Sequence, residues 1–255
     1  MKIGLCTITF RDRPIEAVLD LAARAGFDGV EPWGKPDHTP ATYDREYNLR
    51  VAEAVRARGL EVSQFGSYAN PTSDRFEREM EDALRTARDL GTDKIRVWAG
   101  RTGSAEADEA QWGTAISGHR TFSDRASDLG ITLVVEVHRG YLTDTAEGSL
   151  RLVEGVNRPN FRLNFQPMSA HSPARVMEEA RKMAPYVTTV HAQNHPQTGQ
   201  NRRVLISEGA VDYAAVVGEL RRAGFDGYLE VEFVREEDPE EALIADAGYL
   251  RSLCR

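Results

Sequence analysis

The sequence predicts an α/β fold of one kind, a closed (β/α)8 TIM barrel in a single domain over residues 1–255. Three observations predict it. Eight short β-rich runs alternate with longer helical patterns, and 255 residues over eight units is about 32 each, the size of a βα repeat. No linker, low-complexity tract or Pro/Gly-rich hinge breaks the series. One segment also recurs: Ala25-Gly26-Phe27-Asp28-Gly29 returns as Ala223-Gly224-Phe225-Asp226-Gly227, an offset of 223 − 25 = 198 residues. An unbroken run of βα units favours a closed barrel over an open doubly wound sheet. A dinucleotide-binding sheet also lacks its signature, because no strand is followed by G-x-G-x-x-G.

The strands are expected over 2–8, 27–33, 60–66, 94–99, 131–138, 161–166, 187–193 and 227–233. The helix entering the second strand carries Ile15, Val18, Leu19 and Ala22 at i, i+3, i+4 and i+7. The helix entering the eighth carries Tyr213, Val216, Val217 and Leu220 in the same register. The remaining helices are expected over 41–58, 73–90, 105–129, 144–157, 173–184 and 238–253. Gly26, Gly59, Gly91, Gly130 and Gly224 stand just past helices, where a left-handed residue ends the last turn.

Composition narrows the function. Charged residues at 28% and hydrophobic ones at 41% are those of a soluble globular chain. A chain of this length buries about three quarters of its unfolded surface and needs no covalent staples. Lys and Arg number 32 against 40 Asp and Glu, a net charge of 32 − 40 = −8, which argues against nucleic acid or an anionic membrane as partner. Cys6 and Cys254 lie at opposite ends, without the paired spacing of a disulfide framework or a thiolate zinc site. The apolar run 3–10 is too short for a signal peptide, and no stretch approaches the ~20 apolar residues of a membrane span. The expected location is cytoplasmic.

Polar residues break the apolar alternation on the parity that faces into the barrel. Val134, Glu136 and His138 share one face of the fifth strand, with Leu133, Val135 and Val137 on the other. Arg162, Asn164 and Gln166 point inward from the sixth strand, Thr189, His191 and Gln193 from the seventh, Glu230 and Glu232 from the eighth. The first half of the barrel adds Glu31, Trp33, Gln64, Arg96 and Trp98. Arg96 with Glu31 or Glu230 suits a structural ion pair as well as a functional one. Glu136, His191 and Glu232 lie at carboxyl ends of strands, where barrel active sites are built, and no second inward cation is evident for them. Two carboxylates, an imidazole and a neutral oxygen donor at one point suit a divalent cation. The competing reading is a hydrogen-bonded polar plug.

Ala25-Gly-Phe-Asp-Gly-Val-Glu31, Glu136-Val-His138-Arg-Gly-Tyr-Leu-Thr-Asp-Thr145, Leu163-Asn-Phe-Gln-Pro167, Val190-His-Ala-Gln-Asn194, Glu208-Gly209 before Val211-Asp212, and Gly227-Tyr-Leu-Glu-Val-Glu232 occur in order along the chain. In this arrangement the sequence resembles the xylose isomerase-like TIM-barrel superfamily, in its sugar phosphate isomerase/epimerase (AP endonuclease family 2) branch. The resemblance implies one divalent metal ion, Mn, Mg or Zn, held by Glu136, Gln166, His191 and Glu232. Gln166 departs from the pattern, an amide where an acid is usual, and Asn194 stands where many relatives carry Asp. The resemblance further implies Glu136 and Glu232 as the catalytic acid/base pair of an isomerase or epimerase acting on a small sugar, keto-sugar or polyol. Such chemistry needs a cation to polarise the carbonyl, a base to take the α-proton and an acid to return one. The three-zinc cluster of DNA-cleaving relatives needs further His ligands, but Gln64 and Gly66 occupy the third strand's end.

Candidate substrate contacts are His138, His171, Arg202 with its neighbour Arg203, Gln64, and an aromatic wall of Trp33 and Trp98. Two other readings stand beside the isomerase: a lyase or dehydratase using the same acids for β-elimination, and a non-enzymatic ligand-binding relative in which Gln166 marks an altered metal site. Exposed helix faces leave room for a homo-oligomer.

Overall fold

All eight expected units are present in order in the computed structural model, which describes residues 1–255. The strands are β1 (Lys2–Cys6), β2 (Gly29–Glu31), β3 (Glu61–Val62), β4 (Phe65–Gly66), β5 (Lys94–Val97), β6 (Thr132–Glu136), β7 (Phe161–Phe165), β8 (Val187–Ala192) and β9 (Tyr228–Val231). The helices are α1 (Ile15–Arg24), α2 (Arg45–Ala57), α3 (Phe76–Leu90), α4 (Glu109–Ser127), α5 (Ala146–Val156), α6 (Pro173–Met183), α7 (Tyr213–Arg222) and α8 (Pro239–Leu253). α1 and α7 begin 213 − 15 = 198 residues apart, the offset of the sequence repeat. The five glycines past helix ends have φ between 69° and 90°, as a left-handed terminating residue requires.

Every strand pair is parallel, in the order β3-β2-β1-β9-β8-β7-β6-β5-β4. The two ends of that order are halves of one stave. The sequence predicts a single strand over 60–66, and the structure interrupts it at Ser63 and Gln64. Both consecutive side chains bond Glu230 inside the barrel, which strict alternation across a pleat does not allow. A parallel bridge between Trp33 and Gly66 closes the barrel past the break. Gly66 is needed there, since a Cβ would come within 2.5 Å of Glu31 Oε1.

The outward parity of the strands is the core. Leu133, Val135, Leu163, Phe165, Leu229 and Val231 are buried against the surrounding helices. α2, α4, α5, α6 and α7 start with side-chain caps from Asp44, Asp108, Thr145, Ser172 and Asp212. Each cap satisfies backbone N–H groups that the first turn leaves unpaired, worth about 1 kcal/mol. These capped ends lie beside the carboxyl ends of the strands, so the site's loops run between fixed points.

Candidate metal centre

Inward-facing polar residues form two layers. The deeper one is built on Arg96 of β5. Its Nε donates to Glu31 Oε1 at 2.6 Å, and Nη1 donates to Glu136 Oε2. Burial alone would raise the Glu31 carboxyl, but Arg96 and His191 outweigh it and hold the group far below the usual range. Gln64 donates from Nε2 to Glu31 Oε2 (2.9 Å) and Glu230 Oε2 (2.7 Å), and Ser63 bonds the other oxygen of Glu230. Burial, then the charge of Glu31, pushes Glu230 up to about 8, so it is a neutral acid at pH 7. Gln64 is wholly buried and its amide is taken up by these partners and Thr189, which removes it from the substrate surface. The Arg96–Glu136 pair corrects the sequence expectation that Glu136 lacks an inward cation.

The upper layer lies at the carboxyl ends of β6 to β9. Ligand atoms of Glu136, His191 and Glu232 all fall within 4.8 Å of one another. His191 Nε2 lies 2.6 Å from Glu31 Oε2. An ionised carboxylate only accepts, so this nitrogen carries the proton and Nδ1 faces the upper cluster. Nδ1 stands 3.3 Å from Glu232 Oε1 and 3.7 Å from Glu136 Oε1, and has no hydrogen-bond partner. Burial would lower this imidazole's pKa, but Glu232 and Glu31 outweigh it and raise it well above the ordinary value. One end of the Gln166 amide reaches 2.7 Å from Glu232 Oε2 and 3.3 Å from Glu136 Oε1. With its nitrogen there, Gln166 donates to both carboxylates; with its oxygen there, it completes a four-donor set for a cation.

These residues fit a divalent ion. An unpartnered buried Nδ1 whose other nitrogen is fixed by a carboxylate, two further carboxylates and an amide oxygen are hard-to-borderline donors aimed at one point. Gln166 contributes no charge where an acid would, and Arg96 already offsets Glu136, so the affinity should be lower than in an all-acid site. Burial pushes the Cys6 thiol well up, which leaves it a neutral neighbour and not a thiolate ligand.

The rim is aromatic on one side. Trp98 stacks on Tyr68 (5.6 Å between centroids) and meets Tyr141 (4.5 Å) and His138 (5.2 Å). Trp33 Nε1 donates to the Tyr68 hydroxyl at 2.8 Å. His138 therefore belongs to this wall, and its Nδ1 donates to the Arg139 carbonyl. His171 is turned onto α6, 2.9 Å from Glu179 Oε2. Arg202 is exposed and pairs with Glu237 at 3.5 Å, whereas Arg203 folds back and donates to Gln193 Oε1 at 3.0 Å. Gln193 in turn donates to Glu232 Oε2 at 3.0 Å. Sequence reasoning assigned no role to Tyr68, Tyr141 or Gln193. The available signal was an inward parity for Gln193 and an aromatic just past a strand end for the two tyrosines.

A parallel βα barrel with carboxylates and an imidazole gathered at its carboxyl-end mouth defines the class: a TIM barrel with a polar site at the carboxyl ends of its strands. The chain belongs to the xylose isomerase-like TIM barrel family, whose profile matches residues 19–253. It is 26% identical over 255 aligned residues to the 3-dehydroshikimate dehydratase of Bacillus anthracis, covering 90% of each chain. It is 24% identical to the 2-oxo-tetronate isomerase of Pectobacterium atrosepticum, covering 93% of each. The solved structure of the probable 3-DHS dehydratase involved in petrobactin synthesis from Bacillus anthracis superposes with a TM-score of 0.83 at 24% identity. That superposition covers 98% of this chain and 99% of that one, and shows the shared fold.

Proposed function

We propose that this chain is a divalent-metal-dependent enzyme that moves a proton at the carbon beside a carbonyl in a small, carbohydrate-like substrate, releasing an isomer or epimer. The observation that carries the reading is the convergence of Glu136, Gln166, His191 and Glu232, with His191 Nδ1 unpartnered. A Mn, Mg or Zn ion held by these four would polarise the substrate carbonyl. Glu232 is the base: no arginine or lysine lies within 4 Å of its carboxylate, the nearest basic side chain being the metal-holding His191, and Gln193 steadies one of its oxygens. Glu136, tied to Arg96, is the second carboxylate, completing the pair through which a proton leaves and returns. The Trp98–Tyr68–Tyr141 wall covers the apolar face of the substrate and keeps water from its carbons.

Full-length similarity to a 3-dehydroshikimate dehydratase supports a second reading, in which the same proton removal is followed by loss of a β-hydroxyl. Proton NMR in D2O tests the shared step. The expected result is α-proton exchange in one of these carbonyl compounds that needs a divalent ion and is lost in Glu232→Gln. Exchange that persists in that variant, or none with any keto-sugar, keto-acid or 3-dehydroshikimate, removes the reading. A conjugated product absorbing in the ultraviolet selects dehydration over isomerisation.

A further inference from the structure

The loop from Gln193 to Asp212 is folded with more care than a solvent loop needs. Asn194, almost fully buried, donates from Nδ2 to the carbonyls of Ile206 and Val211, both at 2.8 Å. It accepts on Oδ1 from the N–H groups of His195 (3.0 Å) and Val211 (3.2 Å). An aspartate, which only accepts, cannot make the first two bonds. Gly209 is required beside it, since a Cβ there would lie 2.1 Å from Asn194 Cγ. Val204 then bridges antiparallel to Asn194, which returns the chain and sets Arg203 beside Gln193.

The guanidinium of Arg203 sits over Phe233, its Cζ 4.2 Å from the ring centroid. Phe233 directly follows Glu232 and has φ of 62°, a left-handed conformation that costs a bulky residue about 1–2 kcal/mol. Its N–H donates to Thr9 Oγ1 at 3.0 Å, which holds it there. Strain beside a functional residue that serves to place a ring under a cation is a built feature. Only Nε of Arg203 has a hydrogen-bond partner in the protein; Nη1 stands 3.9 Å from Glu236, and Nη2 makes no hydrogen bond. Its side chain is 24% exposed, so the cation is largely withdrawn from water without a close counter-ion.

We propose that the substrate carries a carboxylate, and that Arg203, packed on Phe233 and tethered through Gln193 to Glu232, is the residue that receives it. This rests on the proton-transfer reading above. A planar fork with both Nη groups free matches a carboxylate edge-on. Arg202 is engaged with Glu237, and Glu236 and Glu237 on the same rim disfavour the second charge of a phosphate.

The test compares 2-oxo-tetronate and 3-dehydroshikimate with a neutral ketotetrose, erythrulose, and its 4-phosphate, on the manganese-loaded protein. Wild type, Arg203→Lys, Arg203→Met and Phe233→Leu are assayed for kcat and KM by proton exchange and product formation. The expected result is that an acid is used at least tenfold better than erythrulose. Arg203→Met then reduces that preference by about 100-fold, mainly through KM, with Arg203→Lys and Phe233→Leu in between. Preference for erythrulose or its phosphate, or an equal fall on all probes in Arg203→Met, overturns the carboxylate assignment and leaves the proton-transfer reading standing. Absence of exchange with every probe overturns the proton-transfer reading itself, and this proposal with it.

Discussion

The two polar layers of the barrel are made of the same residue types, yet only one is chemically closed. In the deeper layer Glu31, Gln64, Arg96 and Glu230 all have partners: Arg96 bonds Glu31 and reaches up to Glu136, Glu230 is held neutral, and the Gln64 amide donates to both acids. In the upper layer Glu136, Glu232 and the end of Gln166 crowd together around a histidine nitrogen with no partner. Identity and burial do not separate the layers, since Glu230 of β9 and Glu232 just past its end share one parity and both are buried. Unmet bonding does. A polar plug ends its hydrogen bonds inside the protein, and a binding site leaves some to be completed from outside.

The difference is open to direct attack, and the largest effect belongs to the upper layer. Glu232→Gln should reduce turnover by about 10³-fold or more with an unchanged circular dichroism spectrum, the scale of a lost general base. Activity within tenfold of wild type would erase the distinction drawn between Glu232 and Glu230. Glu31→Gln removes the carboxylate that orients His191 from below, and metal affinity measured by titration should fall about 10- to 100-fold. An unchanged affinity would mean that the layers are not coupled through the imidazole. In contrast, Glu230→Gln keeps a neutral group in the place of a neutral acid and spares the proton that Glu230 takes up on folding at pH 7, so urea unfolding at that pH should show no loss of stability. A loss of several kcal/mol would show that the deeper layer holds a charge there.

A small effect comes from a buried acid outside both layers. Asp246 of α8 accepts from the Ile206 N–H at 2.7 Å, its other oxygen has no partner, and burial pushes its pKa up to about 7. A carboxyl raised in the folded state favours folding most while protonated. That contribution is full below about pH 4, the unfolded value, and is lost as pH rises through 7. Asp246→Asn should therefore flatten the decline in stability between pH 4 and 7, read from unfolding midpoints. An unaltered slope would place the decline elsewhere.

The barrel was legible because its signals are local and periodic. Stripe spacing located α1 and α7, and glycine placement marked five helix ends. The inward parity of Glu136, His191 and Glu232 followed from alternation alone, and the convergence of those three is a geometric consequence of barrel closure. What alternation could not supply was pairing across the barrel. Arg96 meets Glu31 and Glu136 from another strand, and Gln64 proves to be an internal brace because the third stave is broken beside it. Loop residues were least legible. Arg202 and Arg203 are adjacent in sequence, and only the Asn194 clasp decides which of them turns toward Glu232.

Metal binding tests the distinction between the layers most directly. Calorimetric titration of chelator-stripped protein with Mn²⁺ should show one site per chain with a dissociation constant in the micromolar range or tighter. The site should be lost in His191→Ala and retained in Glu230→Gln. No heat of binding in the wild-type chain, or equal binding in the His191 variant, would contradict the assignment of the upper layer as a cation site.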